Sequence, residues 1–211
     1  MGPDYRGHTS LVYYRLGEWK RTLISNENEG FVHGVWVTDW ESDRRDEILT
    51  ASFGGIHLHK LEAGGWWTRT EIARGDPAPW PKGGTSDVAV GQVASRRSLC
   101  SIEPWHGNQV VDYVEEQGKW NRQIIDDTFT DGHTITTADL AGNDRDAIIA
   151  GHRGASGVLV YYLATYPSGQ KRERHPLEMK QIATAACAIT DLNGDGKQDV
   201  VAIGSATANL K

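Results

Sequence analysis

The chain repeats a unit in which two short apolar runs flank a polar turn. The clearest copy is Ala183–Gly204, where the turn is acidic and contains two glycines. Weaker copies lie at Gly34–Ser52, Asp87–Glu103 and Thr134–Gly151. Corresponding positions of the four copies are 52, 48 and 52 residues apart, at Asp39, Gly91, Asp139 and Asp191. Short apolar runs bounded by turn residues are typical of β-strands, so the repeat predicts strand pairs at a regular interval.

A second hairpin recurs between these units. Its first strand is predicted at Leu11–Leu16, Ile56–Leu61, Val110–Val114 and Val158–Leu163. In three copies a tryptophan then precedes an arginine by two residues, as Trp19 and Arg21, Trp67 and Arg69, and Trp120 and Arg122. Each repeat therefore contains four strands. Four-stranded repeats at this period are typical of β-propeller blades, so we predict an all-β fold, a propeller of about four blades.

The repeats also predict how a single propeller domain, residues 1–211, is divided. A polar lead-in at 1–10 is followed by a half blade at 11–24, by blades at 31–73, 85–126 and 133–177, and by a half blade at 183–211. If the two half blades share one sheet, they close a four-bladed ring and hide its strand edges. Alternatively the chain is an arc of a larger propeller, and an incomplete ring would favour a homo-oligomer.

The turn of the last repeat has a pattern of oxygen-bearing side chains that suits calcium. Its oxygens come from positions one, three, five and nine, at Asp191, Asn193, Asp195 and Asp199. Carboxylate and amide oxygens at alternate positions over a glycine-containing turn are typical calcium ligands. The alternative is an acidic β-turn without metal. The string DLNGDGKQDV at Asp191–Val200 resembles the calcium loop of FG-GAP (VCBS-type) propeller repeats.

A longer stretch resembles another family. Arg74–Val114, and most of all its turn PWHGNQV, is similar to the β-propeller of the fungal aldos-2-ulose dehydratases. The similarity extends more loosely from about Phe31 to Gly151. It implies a propeller and an activity that dehydrates sugars.

Strand direction gathers the candidate functional residues at one end of the predicted sheets. His33 and His133 each precede the first strand of a repeat, while the other candidates follow second strands, at Glu103, Trp105, His106, His152 and Arg153. Imidazoles transfer protons near neutral pH and also bind divalent transition metals. The acidic turns lie at the opposite end. We therefore predict a functional cleft on the histidine end.

Two functions are compatible with these residues. The first is a lyase that dehydrates a keto- or anhydro-sugar, with His106 or His133 as base and Glu103 or His33 as acid or metal ligand. Trp105 would stack on the sugar, and His152 and Arg153 would bind it. The alternative is a non-catalytic propeller that binds carbohydrate or protein and holds structural calcium, because a fold alone does not determine chemistry.

Charge and hydropathy exclude some partners. The formal net charge of −6 argues against a nucleic-acid partner, whose phosphates favour a basic surface. No stretch approaches the ~20 apolar residues of a membrane span, and the first ten residues lack the apolar core of a signal peptide. We therefore expect a soluble protein that does not bind membranes, in a compartment that the sequence does not specify.

Overall fold

The regular structure of the chain is entirely β-strand in the part that the computed structural model describes. That part comprises residues 9–27, 29–154, 158–164, 171–205, 207 and 209–210. Its strands form five antiparallel sheets, three of which have four strands. The predicted all-β class and the four-stranded sheets are confirmed. Among these residues, no helix has the length and apolar character needed to cross a membrane.

Within each sheet the strands follow the order of the chain, and each pairs with the next strand of that sheet. The N-terminal hairpin contains β1 (Leu11–Tyr14) and β2 (Arg21–Ser25). Sheet 1 contains β3 (Val32–Thr38), β4 (Glu47–Ser52), β5 (Gly55–Leu61) and β6 (Trp67–Ala73). Sheet 2 contains β7 (Asp87–Val93), β8 (Arg96–Glu103), β9 (Gln109–Glu116) and β10 (Lys119–Asp126). Sheet 3 contains β11 (Gly132–Ala138), β12 (Ala147–His152), β13 (Val158–Ala164) and β14 (Arg172–Met179). Sheet 4 contains β15 (Thr184–Thr190), β16 (Asp199–Gly204) and β17 (Asn209–Leu210).

Consecutive sheets pack face to face, and an apolar core fills each of the three interfaces among sheets 1 to 4. Strand β8 contributes side chains to two cores. Its Leu99 is buried against sheet 1 and the next residue, Cys100, is buried against sheet 3. Successive side chains of a strand point to opposite faces, so a strand covered on both faces needs a continuous apolar run. This explains why the runs in the sequence do not alternate with polar residues.

The first strands of the four sheets lie side by side in chain order. Strand β3 packs beside β7, β7 beside β11, and β11 beside β15. The approach is close at Gly34 of β3, where an added methyl group would overlap Asp87 of β7. Because these strands converge, side chains near their ends meet although they belong to different repeats.

The N-terminal hairpin and the C-terminal strands do not join in one sheet. The N-terminal hairpin is a sheet of its own, and sheet 4 obtains its third strand from β17. The alternative in which the half blades at 11–24 and 183–211 share one sheet is therefore wrong. The hairpin instead packs on sheet 1, where Tyr13 contacts the Trp67 ring at a centroid distance of 5.9 Å. Strand β17 is the closer partner in sequence for β16, so pairing with it closes only a short loop.

Arginines of sheets 1, 2 and 3 each pair with a buried acid. Arg69 donates to Glu29 at 2.7 Å, Arg122 to Glu103 at 2.5 Å, and Arg174 to Asp126 at 2.8 Å. A further arginine, Arg172 of β14, reaches into sheet 2 and pairs with Asp112 at 2.7 Å. Both side chains of the Arg172–Asp112 pair are almost fully buried.

Candidate functional site

Three histidines from separate segments form one cluster, which we call the histidine cluster: His33, His106 and His133. The distances between their ring centroids are 5.1, 5.0 and 5.0 Å. One ring nitrogen of each lies within 4.8 Å of the others. Among the His, Cys, Asp and Glu side chains of the described residues, no other group of three meets this distance. The arrangement therefore places three potential metal ligands around one point.

Irregular backbone brings the three imidazoles together. The strand register shifts between Val32 and Gly34 and again between Gly132 and Thr134, so His33 and His133 both lie at bulges. A bulge leaves one residue outside the hydrogen-bond ladder and re-aims its side chain. His106, in the turn after β8, has φ of +49°, in the left-handed region that few non-glycine residues adopt. Three local departures from ideal strand geometry thus serve one site.

The imidazole of His133 is oriented by the next sheet. Its Nδ1 lies 2.7 Å from the main-chain carbonyl oxygen of Ala185, which is itself at a register shift of β15. A carbonyl oxygen only accepts, so Nδ1 carries the proton and the lone pair of Nε2 is left for the cluster. The Nε2 atoms of His33 and His106 are 3.4 Å apart, which sets two further nitrogens around the same point.

Asp131 and Arg153 hold the imidazole of His106. The Nδ1 of His106 lies 3.1 Å from Oδ1 of Asp131 and 3.0 Å from Nη2 of Arg153. Arg153 also donates to Asp131 from Nε at 3.1 Å and from Nη2 at 3.2 Å. Arginine only donates and a carboxylate only accepts, so Nδ1 of His106 is unprotonated when it accepts from Arg153 and protonated when it donates to Asp131. Metal binding through Nε2 requires the second of these tautomers. The Nε2 of His106 is then an unprotonated ligand.

The surroundings favour the neutral form of all three imidazoles, because they lower the pKa of each. Burial lowers the pKa of His106 to about 4, with further contributions from the positive charge of Arg153 and from His33. Burial is also the main cause that lowers the pKa of His33 and of His133. A neutral imidazole offers a lone pair, whereas a protonated one repels a cation. The donor set of three neutral nitrogens fits a divalent transition metal such as zinc.

An aromatic group adjoins the histidine cluster. The indole of Trp105 stacks on His106 with a centroid distance of 4.4 Å and an interplanar angle of 25°. Phe31 lies 5.4 Å from Trp105, and Phe53 lies 5.3 Å from it. The structure thus brings Trp105 and Arg153 to the histidines, as their sequence positions suggested.

Two other predicted site residues are held inside the sheets. Glu103 is fully buried and accepts hydrogen bonds at 2.5 Å from Ser101, from Tyr113 and from Arg122. Burial raises its pKa, while those three partners oppose the rise. His152 is also buried, with its ring 4.9 Å from that of Phe129. Neither residue is brought to the histidine cluster, and the carboxylate found there is Asp131, which the sequence reasoning missed.

The predicted calcium loop is closed by its own backbone. The Asp191 carboxylate accepts N–H groups from Gly194, Asp195 and Gly196 at 2.7 to 3.2 Å, and these bonds lower its pKa. The Asp199 carboxylate accepts the N–H of Leu192, and the Asn193 side-chain oxygen accepts that of Asp195. Such bonds stabilise an acidic turn by themselves. Calcium binding through Asp191, Asn193, Asp195 and Asp199 stays a prediction.

Comparisons with known proteins find a distant relative. No protein-family model matches the chain, so the resemblance to FG-GAP repeats stays a prediction. The aldos-2-ulose dehydratase of Phanerodontia chrysosporium is 27% identical over an alignment of 161 residues, and the match covers 65% of this chain. The match spans only 17% of the dehydratase's own length. The chain is therefore similar to one segment of that enzyme.

Proposed function

We propose that this chain is part of a β-propeller that dehydrates a keto- or anhydro-sugar, using a divalent metal held by the histidine cluster. The observation that carries the proposal is the convergence of three imidazoles, two of which have an oxygen acceptor within 3.1 Å of Nδ1. Those acceptors are the carbonyl of Ala185 and the carboxylate of Asp131. Orienting partners of this kind are typical of metal-binding histidines.

The chemistry of the donor set suits such a reaction. His33, His106 and His133 would hold a divalent ion, and that ion would supply polarisation of a carbonyl oxygen. Dehydration removes a proton from the carbon next to that carbonyl and a hydroxide from the adjacent carbon, and the two leave as water. Arg153, whose side chain is 30% exposed, can donate a hydrogen bond to an oxygen of the sugar. Asp131 keeps both Arg153 and His106 in place for these tasks.

The substrate class is inferred from the distant relative. That enzyme's name describes the dehydration of an aldos-2-ulose, a sugar with neighbouring carbonyl groups. A match that covers 65% of a 211-residue chain spans its middle, where the turn with Trp105 and His106 lies. Because the match covers 17% of the enzyme, its activity is transferred to this chain only as a proposal.

The propeller is also part of the proposal. Three consecutive four-stranded sheets with adjacent first strands and face-to-face cores support it. The separate sheets at the two ends favour an arc of a larger ring over a closed ring of four blades. An arc leaves the outer faces of its terminal sheets for further sheets to cover.

Turnover of a defined sugar tests the function. The full chain is loaded with zinc and incubated with 1,5-anhydrofructose or an aldos-2-ulose, and the absorbance of the enone product is followed. His106→Ala and His133→Ala should each lower turnover by about 10²-fold or more, because losing a metal ligand should cost at least as much as losing a partner that orients one. The matched control is His175→Ala, because His175 stacks on Tyr161 in sheet 3, outside the histidine cluster. Conversion that survives both chelation and the two variants would contradict the proposal.

A carbohydrate-binding module without turnover is the second candidate. The specific observation in its favour is that Glu103, the predicted catalytic acid, is buried and paired with Arg122. In that case calorimetry would detect sugar binding to the zinc-loaded chain, while no product would accumulate with any keto- or anhydro-sugar supplied.

A further inference from the structure

Two exposed aromatic side chains lie next to the group that adjoins the histidine cluster. Phe31 is 41% exposed and Trp80 is 44% exposed. Phe31 precedes His33 by two residues and contacts Trp105 at 5.4 Å. Trp80 contacts Phe53 at 5.3 Å, and Phe53 in turn contacts Trp105. The aromatic rings are therefore continuous from His106 to the protein surface.

Trp105 itself is poorly placed to stack on a ligand. One face of its indole lies against the His106 ring at an angle of 25°. Phe31 and Phe53 crowd it from other directions, at 5.4 and 5.3 Å. Its contacts therefore fix the position of His106 rather than present an open face. The stacking role expected for Trp105 is better served by rings that remain exposed.

The loop that carries Trp80 is built to hold it. Asp76 and Gly84 exchange two backbone hydrogen bonds of 3.0 Å, which close the loop at its base. Within it, the N–H of Lys82 donates to the carbonyl of Pro79 at 2.9 Å. The Trp80 ring lies directly over Gly30, where an added methyl group would overlap it. Gly30 also has φ of +71°, so glycine is favoured there for two reasons, and Trp80 is held over the residue that precedes Phe31.

We infer that Phe31 and Trp80 form the surface on which the sugar stacks. The inference rests on the proposed function, because it concerns the substrate of the same site. A pyranose ring has an apolar face of C–H groups and an edge of hydroxyl and carbonyl oxygens. Its apolar face would cover Phe31 and Trp80, and its oxygens would turn toward the histidine cluster and Arg153. Exposed rings beside convergent polar groups are typical of ligand sites, and rigid aromatic side chains lose little conformational freedom on binding.

Sugar affinity in matched variants tests the inference. The binding of 1,5-anhydrofructose to the zinc-loaded full chain is measured by calorimetry. Phe31→Ala and Trp80→Ala should each raise Kd by about tenfold, the effect of losing one stacked aromatic contact. Phe31→Tyr keeps the ring and should restore most of the affinity. The control is Trp66→Ala, since Trp66 is 60% exposed but lies in the turn between β5 and β6, at the other end of sheet 1.

Zinc affinity and activity separate the outcomes. Phe31→Ala and Trp80→Ala should leave zinc affinity unchanged and raise KM more than they lower kcat. Trp105→Ala should instead weaken zinc binding, because Trp105 supports His106. Unchanged sugar affinity in both Phe31→Ala and Trp80→Ala would overturn the inference and leave the proposed function standing. An unaltered chain that neither binds nor converts the sugar would overturn both.

Discussion

The Nδ1 atom of His133 lies 2.7 Å from the carbonyl oxygen of Ala185, so a strand of sheet 4 orients an imidazole of sheet 3. This carbonyl is available because the register of β15 against β16 shifts at that residue. His33 and His133 lie at matching shifts in their own sheets. Register shifts at the start of three sheets therefore supply two potential ligands and the acceptor that orients one of them.

Asp131→Ala should weaken zinc binding by about 10- to 100-fold, the usual effect of removing the partner of a metal-binding histidine. The reason is that His106 loses the acceptor for its Nδ1 proton. Competition with a chromophoric chelator measures the affinity. Asp127→Ala is the control, because that neighbouring side chain is exposed. Equal zinc affinity in the two variants would show that Asp131 does not orient His106.

Arg172→Met should destabilise the fold by about 3–5 kcal/mol, the range for breaking a buried ion pair by removing one partner. The change leaves the buried Asp112 carboxylate without its cation. Urea unfolding gives the free energy. Arg15→Met removes the cation of the exposed Arg15–Glu18 pair and should cost only about 0–1 kcal/mol. Similar losses in the two variants would mean that the Arg172–Asp112 pair contributes no more than a surface contact.

Asp87→Asn should change the pH dependence of stability. Burial raises the pKa of Asp87 to about 7, against hydrogen bonds from the N–H groups of Ile135 and Val88. The unfolded carboxyl has a pKa of about 3.9, so between about pH 4 and pH 7 the folded state binds more protons. Its contribution to stability is therefore complete below about pH 4 and declines as the pH rises to about 7.

Asparagine cannot titrate, so this decline should be absent in the variant. The melting temperature of Asp87→Asn, relative to the unaltered chain, should rise between pH 4.5 and pH 8. Thermal unfolding followed by circular dichroism at both pH values measures the difference. A difference that is the same at both values would contradict the raised pKa.

Asp195→Ala tests the predicted calcium loop. If the loop binds calcium, the unaltered chain should melt at a higher temperature in calcium than in chelator, because a ligand of the folded state stabilises it by mass action. The variant should lose this difference. Asp43→Ala, in the shorter acidic turn of the first repeat, should retain it. If the melting temperature of the unaltered chain is the same in calcium and in chelator, the loop is an acidic turn closed by backbone hydrogen bonds.

The strands and the four-stranded sheets could be predicted because their cause is local. Each strand between two cores needs a continuous apolar run, and the turn residues between runs mark its ends. The shared end of His33 and His133 was also predictable, since both occupy the same position of the repeat. His106 occupies a different position of the repeat. Its location at the same end could be predicted from the direction of β8, the strand that it follows.

The errors and omissions come from contacts between distant segments. In the sequence, Glu103 is a candidate acid because it adjoins a histidine-containing turn. In the structure it is paired with Arg122, on the outermost strand of its sheet. Asp131 follows no motif, and its role depends on Arg153 from another strand end. The pairing of the terminal strands also depends on contacts between distant segments. A pattern of apolar residues identifies strands but does not say which partner each one takes.

The carbonyl of Ala185 has a consequence for how the protein is made. Among the residues of the site, a ribosome would add His33 first and Ala185 last. The site therefore has all of its residues only once sheet 4 has begun to form. A nascent chain that ended within sheet 3 would carry all three imidazoles but not the group that aims His133. Tight metal uptake would then report that four successive sheets have folded in their native order.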